Sequence, residues 1–233
     1  MQHTFNKALI VGAGSGLSAS LARYFSSKQL QVSLAARNIE KLVDLCDEID
    51  ARSFSCDAAS PDSVSQLFAM LDRQDCTPEL VIYNPSFRVR GELTNLDIDD
   101  VKKSLDVTAF GAFLVAQQAV KRMQKAGKGC IVFTGASAGV KGYAQSAPFA
   151  MGKFALRGLA QSMAREFHPQ GIHIAHVVVD GGIWHEARYD TADHNADALL
   201  DPDAIASTYW QLITQDRSIW SWEIELRPWV ETF

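Results

Sequence analysis

Short apolar runs alternate along the chain with longer segments whose apolar side chains recur every three or four residues. The runs are typical of strands buried on both faces, and the spaced segments are typical of amphipathic helices. The pattern predicts strands at Lys7–Gly12, Gln31–Ala36, Arg52–Cys56, Glu79–Asn84, Cys130–Gly135, Ile172–Val179 and Trp222–Leu226. It predicts helices at Leu17–Lys28, Ile39–Asp50, Asp97–Gln124 and Ser146–His168, with further helices capped at Ser60-Pro61 and at Asp201-Pro202.

This alternation predicts an α/β protein with a three-layer, doubly wound parallel sheet, which is the Rossmann fold. We expect residues 1–233 to form a single domain. A TIM barrel is disfavoured because it needs eight strand–helix units and usually a longer chain. Residues 181–200 are polar and irregular, and they predict a substrate loop or lid within the domain.

Composition narrows the class of protein. The chain has 233 residues, 47% of them hydrophobic, and a net charge of −5, which gives no general affinity for nucleic acid. No apolar run approaches the ~20 residues that span a bilayer, and the first residues lack a signal-peptide pattern. The four cysteines show no C-x-x-C spacing, so we expect neither a disulfide framework nor a metal site. A cytoplasmic location is expected.

A glycine-rich turn joins the first predicted strand to the first helix. It reads Gly12-Ala-Gly14-Ser15-Gly16-Leu17. Glycines let backbone amides approach a diphosphate, and the helix N-terminus adds aligned N–H dipoles. The position of this turn therefore predicts that its residues bind a dinucleotide cofactor.

The choice of cofactor depends on Arg37, which follows the second strand about twenty residues beyond the glycines. An acidic residue there would bind the ribose 2′-hydroxyl of NAD. A guanidinium pairs instead with the 2′-phosphate of NADP. The sequence thus favours NADP(H) over NAD(H).

The spacing Gly12-x-x-x-Gly16-x-Ser18 resembles the T-G-x-x-x-G-x-G pattern of the short-chain dehydrogenase/reductase family, with Val11 at the threonine and Ser18 at the third glycine. Further matches are Asp57-Ala58, Asn84-Pro85-Ser86, Asp180-Gly181-Gly182-Ile183 and the helix from Phe149 to Glu166. The resemblance implies an adenine contact at Asp57 and Ala58, a cofactor contact at Asn84, Pro85 and Ser86, a nicotinamide contact at Gly181 and Ile183, and a ribose contact at Lys153.

The catalytic positions depart from that family. Its Y-x-x-x-K motif reads Phe149-Ala-Met-Gly-Lys153, and phenylalanine cannot transfer a proton. The family's serine position is Ala136, with Ser137 one residue later, and its asparagine position is Thr108. The chain resembles a bacterial subgroup that shares the phenylalanine. Candidate substitute proton donors are Ser137, Tyr143, His185, Tyr189 and His194.

Three functions follow from these residues. The first is an NADP(H)-dependent oxidoreductase that moves a hydride between nicotinamide and a carbonyl or alcohol, with a non-standard proton donor. The second is an NADP-binding sensor or scaffold. The third and most remote is a serine hydrolase, because Gly135-Ala-Ser137-Ala-Gly139 matches G-x-S-x-G and is followed by Asp180 and His185. We expect a small-molecule substrate, no nucleic-acid or membrane partner, and a homodimer or homotetramer. His173 and His176 are expected to pack in the core.

Overall fold

Seven parallel strands form one sheet in the computed structural model, which describes residues 5–186 and 196–232. Its order is β3-β2-β1-β4-β5-β6-β9. The strands are β1 (Lys7–Val11), β2 (Gln31–Ala36), β3 (Arg52–Ser55), β4 (Leu80–Tyr83), β5 (Gly129–Thr134), β6 (Ile172–Val179) and β9 (Glu223–Leu226). The order reverses between β1 and β4, so the carboxyl ends of these two neighbours open the crevice where such sheets bind ligands.

Helices cover both faces of the sheet. They are α1 (Leu17–Ser27), α2 (Val43–Ile49), α3 (Pro61–Arg73), α4 (Ile98–Leu105), α5 (Gly111–Ala126), α6 (Ala147–Phe167) and α7 (Pro202–Ile213). One apolar layer packs α1 and α7 against the sheet, and a second packs α3, α5 and α6 against the opposite face. The predicted three-layer, doubly wound parallel fold is confirmed.

Side-chain caps fix where several helices begin. The Ser60 hydroxyl accepts a hydrogen bond from the Ser63 N–H, and Pro61 occupies the first turn of α3. Asp97 and Asp201 accept first-turn N–H groups of α4 and α7 in the same way. The predicted caps at Ser60 and Asp201 are therefore formed.

The long helix predicted from Asp97 to Gln124 is interrupted. A wider turn of π type, Asp106–Phe110, joins α4 to α5, and Gly127 ends α5 at a φ of 66°. Thr108 lies in this turn, fully buried, and its hydroxyl has no hydrogen-bond partner among the described residues. One extra residue in the turn rotates α5 relative to α4.

The predicted loop 181–200 is partly ordered into strands. Residues of β7 (Gly182–Ile183) pair in parallel with β8 (Leu199–Leu200). Tyr189 and His194, two of the candidate proton donors, lie in 187–195, outside the described residues. Across the described ranges, no helix has the length and apolarity needed to cross a membrane.

Candidate active site

The cofactor residues predicted from the sequence lie in turns after the carboxyl ends of strands, at the start of α1, in β7 or on α6. The glycine-rich turn follows β1, Arg37 follows β2, and Asp57 follows β3. Asn84 follows β4, and Gly181 follows β6 by one residue beyond Asp180. Because the strands are parallel, these positions meet at one edge of the sheet. The candidate site is therefore at that edge, across the β1–β4 crevice.

The glycine-rich turn is open where a diphosphate would approach. Gly12 adopts a φ of 80°, and a Cβ there would lie 2.7 Å from the Pro85 nitrogen, so only glycine fits. A Cβ at Gly14 would have no described heavy atom within 4 Å. Leu17 begins α1, whose first turn no described side chain caps. An exposed backbone concavity that leads into an uncapped helix N-terminus fits an anion.

Ser18 connects this turn to the neighbouring strand. Its hydroxyl donates to the Gly12 carbonyl at 3.1 Å and accepts from the Asn84 side-chain amide at 2.8 Å. Serine at the third glycine position thus adds hydrogen bonds that glycine could not make. These bonds hold the turns after β1 and β4 together, which places Asn84, Pro85 and Ser86 beside the glycines.

Arg37 and Asp57 lie at the ends of two paired strands. Ala36 and Ser55, the last residues of β2 and β3, are register partners. The Arg37 side chain is exposed and forms no ion pair with a residue of the described ranges. The Asp57 carboxylate accepts the Ala59 N–H at 3.0 Å, which closes a tight turn next to the buried Ala58. A cation and a carboxylate are therefore available where β2 and β3 end.

Lys153 is buried on α6, with 3% of its surface exposed. Its ammonium donates a 2.7 Å hydrogen bond to the Thr134 carbonyl at the end of β5. Burial lowers the pKa of Lys153 to about 8. The Phe149 ring lies one helical turn earlier, and its centre is 5.7 Å from the Lys153 nitrogen and 5.2 Å from the Arg88 guanidinium carbon. Two cations thus flank an aromatic ring that carries no hydroxyl.

The turn after β6 is shaped by close contacts with the chain that follows β9. The Asp180 N–H donates to the Leu226 carbonyl at 2.8 Å. Gly181 has a φ of 157°, and a Cβ there would lie 2.8 Å from Pro228 Cδ. Glycine is required at this position, and the half-buried Ile183 follows it in β7.

His185 contacts the glycine-rich turn. Its Nε2 lies 2.9 Å from the Ser15 hydroxyl, and its Cδ2 is the atom that a Cβ at Gly16 would meet, at 3.4 Å. The sequence predicted His185 as a candidate proton donor and as the histidine of the hydrolase hypothesis. No local pattern could reveal a contact between residues so far apart in the chain.

The residues of the hydrolase hypothesis are not assembled. Ser137 begins a short 3-10 turn, Ser137–Gly139, and the next helix starts only at Ala147, so no strand–Ser–helix elbow forms. The His185 imidazole bonds Ser15, as described above. Asp180 faces Lys141 and Arg227, each with its nitrogen 3.5 Å from the carboxylate. The hydrolase hypothesis is therefore withdrawn.

His173 and His176 are both buried on β6, as predicted. The His176 Nδ1 lies 2.9 Å from the Glu223 carboxylate, which also accepts two 2.7 Å hydrogen bonds from Arg157 on α6. Burial lowers the pKa of His176 to about 4, although Glu223 acts in the opposite direction. This network ties α6 to the last strand. Within the described residues, no cluster of three or more potential ligands could hold a metal ion.

Comparison with known proteins agrees with this geometry. A family model for short chain dehydrogenases matches residues 6–186. An uncharacterized oxidoreductase of Staphylococcus aureus (strain USA300) is 24% identical over 227 residues, covering 95% of this chain and 96% of that protein.

Solved structures share the whole fold. A short-chain dehydrogenase from Rhodopseudomonas palustris has a TM-score of 0.82 and 31% identity, covering 96% of this chain and 99% of that one. A metagenomic short-chain oxidoreductase in complex with NADP has a TM-score of 0.83 at 23% identity, covering 97% and 98% of the two chains. The residues that the family model matches span six of the seven strands, the glycine-rich turn and α6, and they show that this chain belongs to the short chain dehydrogenase family of oxidoreductases.

Proposed function

We propose that this protein is an NADP(H)-dependent oxidoreductase that transfers a hydride between nicotinamide and a carbonyl or alcohol, and that a group other than residue 149 moves the proton. One observation carries the proposal. The buried Lys153 is held at the carboxyl edge by Thr134, on the same edge as the open glycine-rich turn. Burying an ammonium is costly, so its place beside a dinucleotide site favours a role in the chemistry there.

The residues present fit the cofactor. The amides of Gly14, Ser15 and Gly16 and the first turn of α1 would hold the diphosphate. Arg37 would pair with the 2′-phosphate, and Asp57 would accept from the adenine. The Asn84-Pro85-Ser86 segment, Gly181 and Ile183 would line the nicotinamide half.

Few groups of the protein would act at the reacting end of the site. Bound NADPH supplies a hydride there. Lys153 would donate a hydrogen bond to the nicotinamide ribose while it keeps its bond to Thr134. Phe149 contributes an apolar wall that excludes water but no proton. We propose accordingly that the chain belongs to an atypical subgroup with phenylalanine at residue 149.

A second candidate function is an NADP-binding sensor or scaffold. The observation that favours it is Phe149 itself, because loss of a general acid typically costs ~10²–10⁴ in rate. A protein of this kind would bind the cofactor by the same residues and turn over no substrate.

Calorimetry and turnover separate these functions. We expect NADPH to bind the purified protein more tightly than NADH, and NADPH to be oxidised in the presence of at least one member of a panel of aldehydes and ketones. Tight binding without oxidation across the panel supports the sensor. No heat with NADPH or NADP⁺ overturns both functions.

We also propose that two copies of the chain associate through α5 and α6, as a dimer or within a tetramer. Four large apolar side chains there are between 42% and 50% exposed: Phe110, Phe113, Met151 and Phe154. Phe110 and Phe113 stack with ring centres 6.3 Å apart. An apolar face of this kind in a helical pair favours burial against a second copy.

A further inference from the structure

Tyr143 lies in the segment that joins β5 to α6, between the Ser137 turn and Phe149. We propose that Tyr143, assisted by Lys141, is the acid–base group that replaces the hydroxyl missing at Phe149. This inference rests on the oxidoreductase function proposed above and names the residue that the function lacks.

The position of Tyr143 is set by the two elements that build the reacting end of the site. The segment starts from the end of β5, where the Thr134 carbonyl holds Lys153. It ends where the Ser146 N–H donates to the Tyr143 carbonyl at 3.2 Å, one residue before α6 begins. Tyr143 is 44% exposed, so a ligand can reach this residue from solvent.

Lys141 places a positive charge beside this phenol. Its nitrogen is 5.6 Å from the centre of the Tyr143 ring. The adjacent Tyr143 side chain and the Asp180 carboxylate raise the pKa of Lys141, so the lysine remains an ammonium. A cation next to a phenol stabilises the negative charge that develops when the hydroxyl gives up its proton.

The same lysine connects Tyr143 to the proposed nicotinamide turn. Its nitrogen lies 3.5 Å from the Asp180 carboxylate, and Asp180 directly precedes Gly181 and β7. Lys141 therefore lies between the phenol and the turn that would hold the reacting ring. Tyr143 is brought to the correct end of the cofactor by a contact that spans two loops.

Asp180 does not fully neutralise the positive charge of Lys141, because a second cation also faces its carboxylate. Asp180 also faces Arg227 at 3.5 Å, and Arg227 pairs in turn with Glu225. The Asp180 carboxylate is thus shared between two cations rather than neutralising Lys141 alone. Ser137, the hydroxyl predicted beside the family's serine position, has no charged side chain bonded to it among the described residues, so it lacks the cation that lies beside Tyr143.

The proposed step balances. In reduction, the carbonyl carbon accepts the hydride from the nicotinamide, which is oxidised, and the carbonyl oxygen takes the proton of the Tyr143 hydroxyl. The Lys141 ammonium then returns a proton to Tyr143. Lys141 is reprotonated from solvent, to which its side chain is 42% exposed.

The first test uses hydroxyl removal with matched controls. Tyr143→Phe should lower kcat for NADPH oxidation by ~10²–10⁴ and leave the Kd for NADPH within about twofold, because only a general acid is lost. Tyr24→Phe, which removes a hydroxyl from α1 that bonds Ser207, should leave kcat unchanged. Adding Phe149→Tyr to Tyr143→Phe should restore activity, since it returns a phenol to the turn of α6 above Lys153.

The second test needs no cofactor. Tetranitromethane nitrates tyrosines through their phenolate form, and mass spectrometry locates the product. Lys141→Gln should slow nitration of Tyr143 relative to that of Tyr24, because it removes the positive charge beside the Tyr143 ring. Lys141→Arg, which keeps the charge, should restore the wild-type rate.

The outcomes distinguish this inference from the function on which it rests. A wild-type protein that neither binds nor oxidises NADPH overturns both. A wild-type protein that turns over, with Tyr143→Phe retaining its kcat, overturns the role of Tyr143 alone. Equal nitration of Tyr143 in the wild type and in Lys141→Gln overturns the pairing with Lys141.

Discussion

The Lys153 ammonium donates to the Thr134 carbonyl from a site almost closed to solvent, and burial lowers its pKa from 10.5 to about 8. Between these two values the unfolded chain binds more protons than the folded one, so the stability of the wild type should rise with pH in that window. Relative to Lys153→Met, the gain from about pH 8 to 10.5 should be on the order of 2–4 kcal/mol. Urea unfolding of both proteins across this range measures it. Parallel pH profiles would contradict the buried charge.

We expect Arg37 to bind the 2′-phosphate of NADP(H). Arg37→Ala should weaken NADPH binding by ~10–100-fold, because a charge-assisted hydrogen bond contributes ~1.5–3 kcal/mol, and should leave NADH binding nearly unchanged. Calorimetry with both cofactors measures the difference. Arg73→Ala, at the end of α3, is the control for a general loss of positive charge. An equal loss of affinity for the two cofactors would show that Arg37 does not select between them.

Gly12 and Gly14 should respond differently to the same added methyl group. Gly12→Ala combines a positive φ with a contact of 2.7 Å to the Pro85 nitrogen, and should lower the free energy of unfolding by ~2–4 kcal/mol. Gly14→Ala meets open space, so the free energy of unfolding should change by less than ~1 kcal/mol, while NADPH binding weakens by ~10-fold or more. Denaturant unfolding and calorimetry on both variants give the comparison. Unchanged NADPH affinity in Gly14→Ala would place the diphosphate elsewhere.

His176 should make the fold sensitive to acid. Its pKa falls from 6.5 to about 4 on burial, so the unfolded state binds the extra proton between these values and stability is lost as the pH falls through them. Lys153 and Arg157 oppose its protonation, and Glu223 favours it. In His176→Gln the free energy of unfolding should fall less steeply between about pH 6.5 and 4. Identical slopes in the two proteins would assign the acid sensitivity to other groups.

The apolar face on α5 and α6 should hold two copies together. Phe113→Glu and Phe154→Glu place charges on that face and should shift the wild-type oligomer towards monomer. Light scattering after size-exclusion chromatography reports the mass. Val43→Glu, on an exposed side chain of α2, should leave the mass unchanged. If both phenylalanine variants keep the wild-type mass, association uses another surface.

Much of the fold could be predicted from the sequence because burial on both faces of the sheet leaves a local signature. The limits of Gln31–Ala36 and Ile172–Val179 agree with β2 and β6 residue for residue. The glycine-rich turn and Arg37 were predictable for the same reason, since their positions are counted from the end of a strand. The turn Asp106–Phe110 was not, because one inserted residue hardly disturbs a helical apolar pattern.

The contacts that distinguish this site could not be predicted from the sequence. The bond from His185 to Ser15 and the approach of Lys141 to Asp180 join loops that are far apart in the chain. Polar pairs of this kind depend on how the loops fold over the edge of the sheet. They leave no repeating pattern in the sequence from which they could be predicted. The buried Ser18–Asn84 bond is similar, because a small residue was expected there only for its size.

The first turn of α1 has a thermodynamic consequence. Its leading amides have no side-chain acceptor among the described residues, so the helix begins without the stabilisation that Ser60 gives α3. An anion that docks there acts as the absent cap and adds its binding free energy to that of folding. In the ligand-free chain, α1 should therefore fray first at its N-terminus. Binding of the dinucleotide should slow amide hydrogen exchange in α1, even when no reaction takes place.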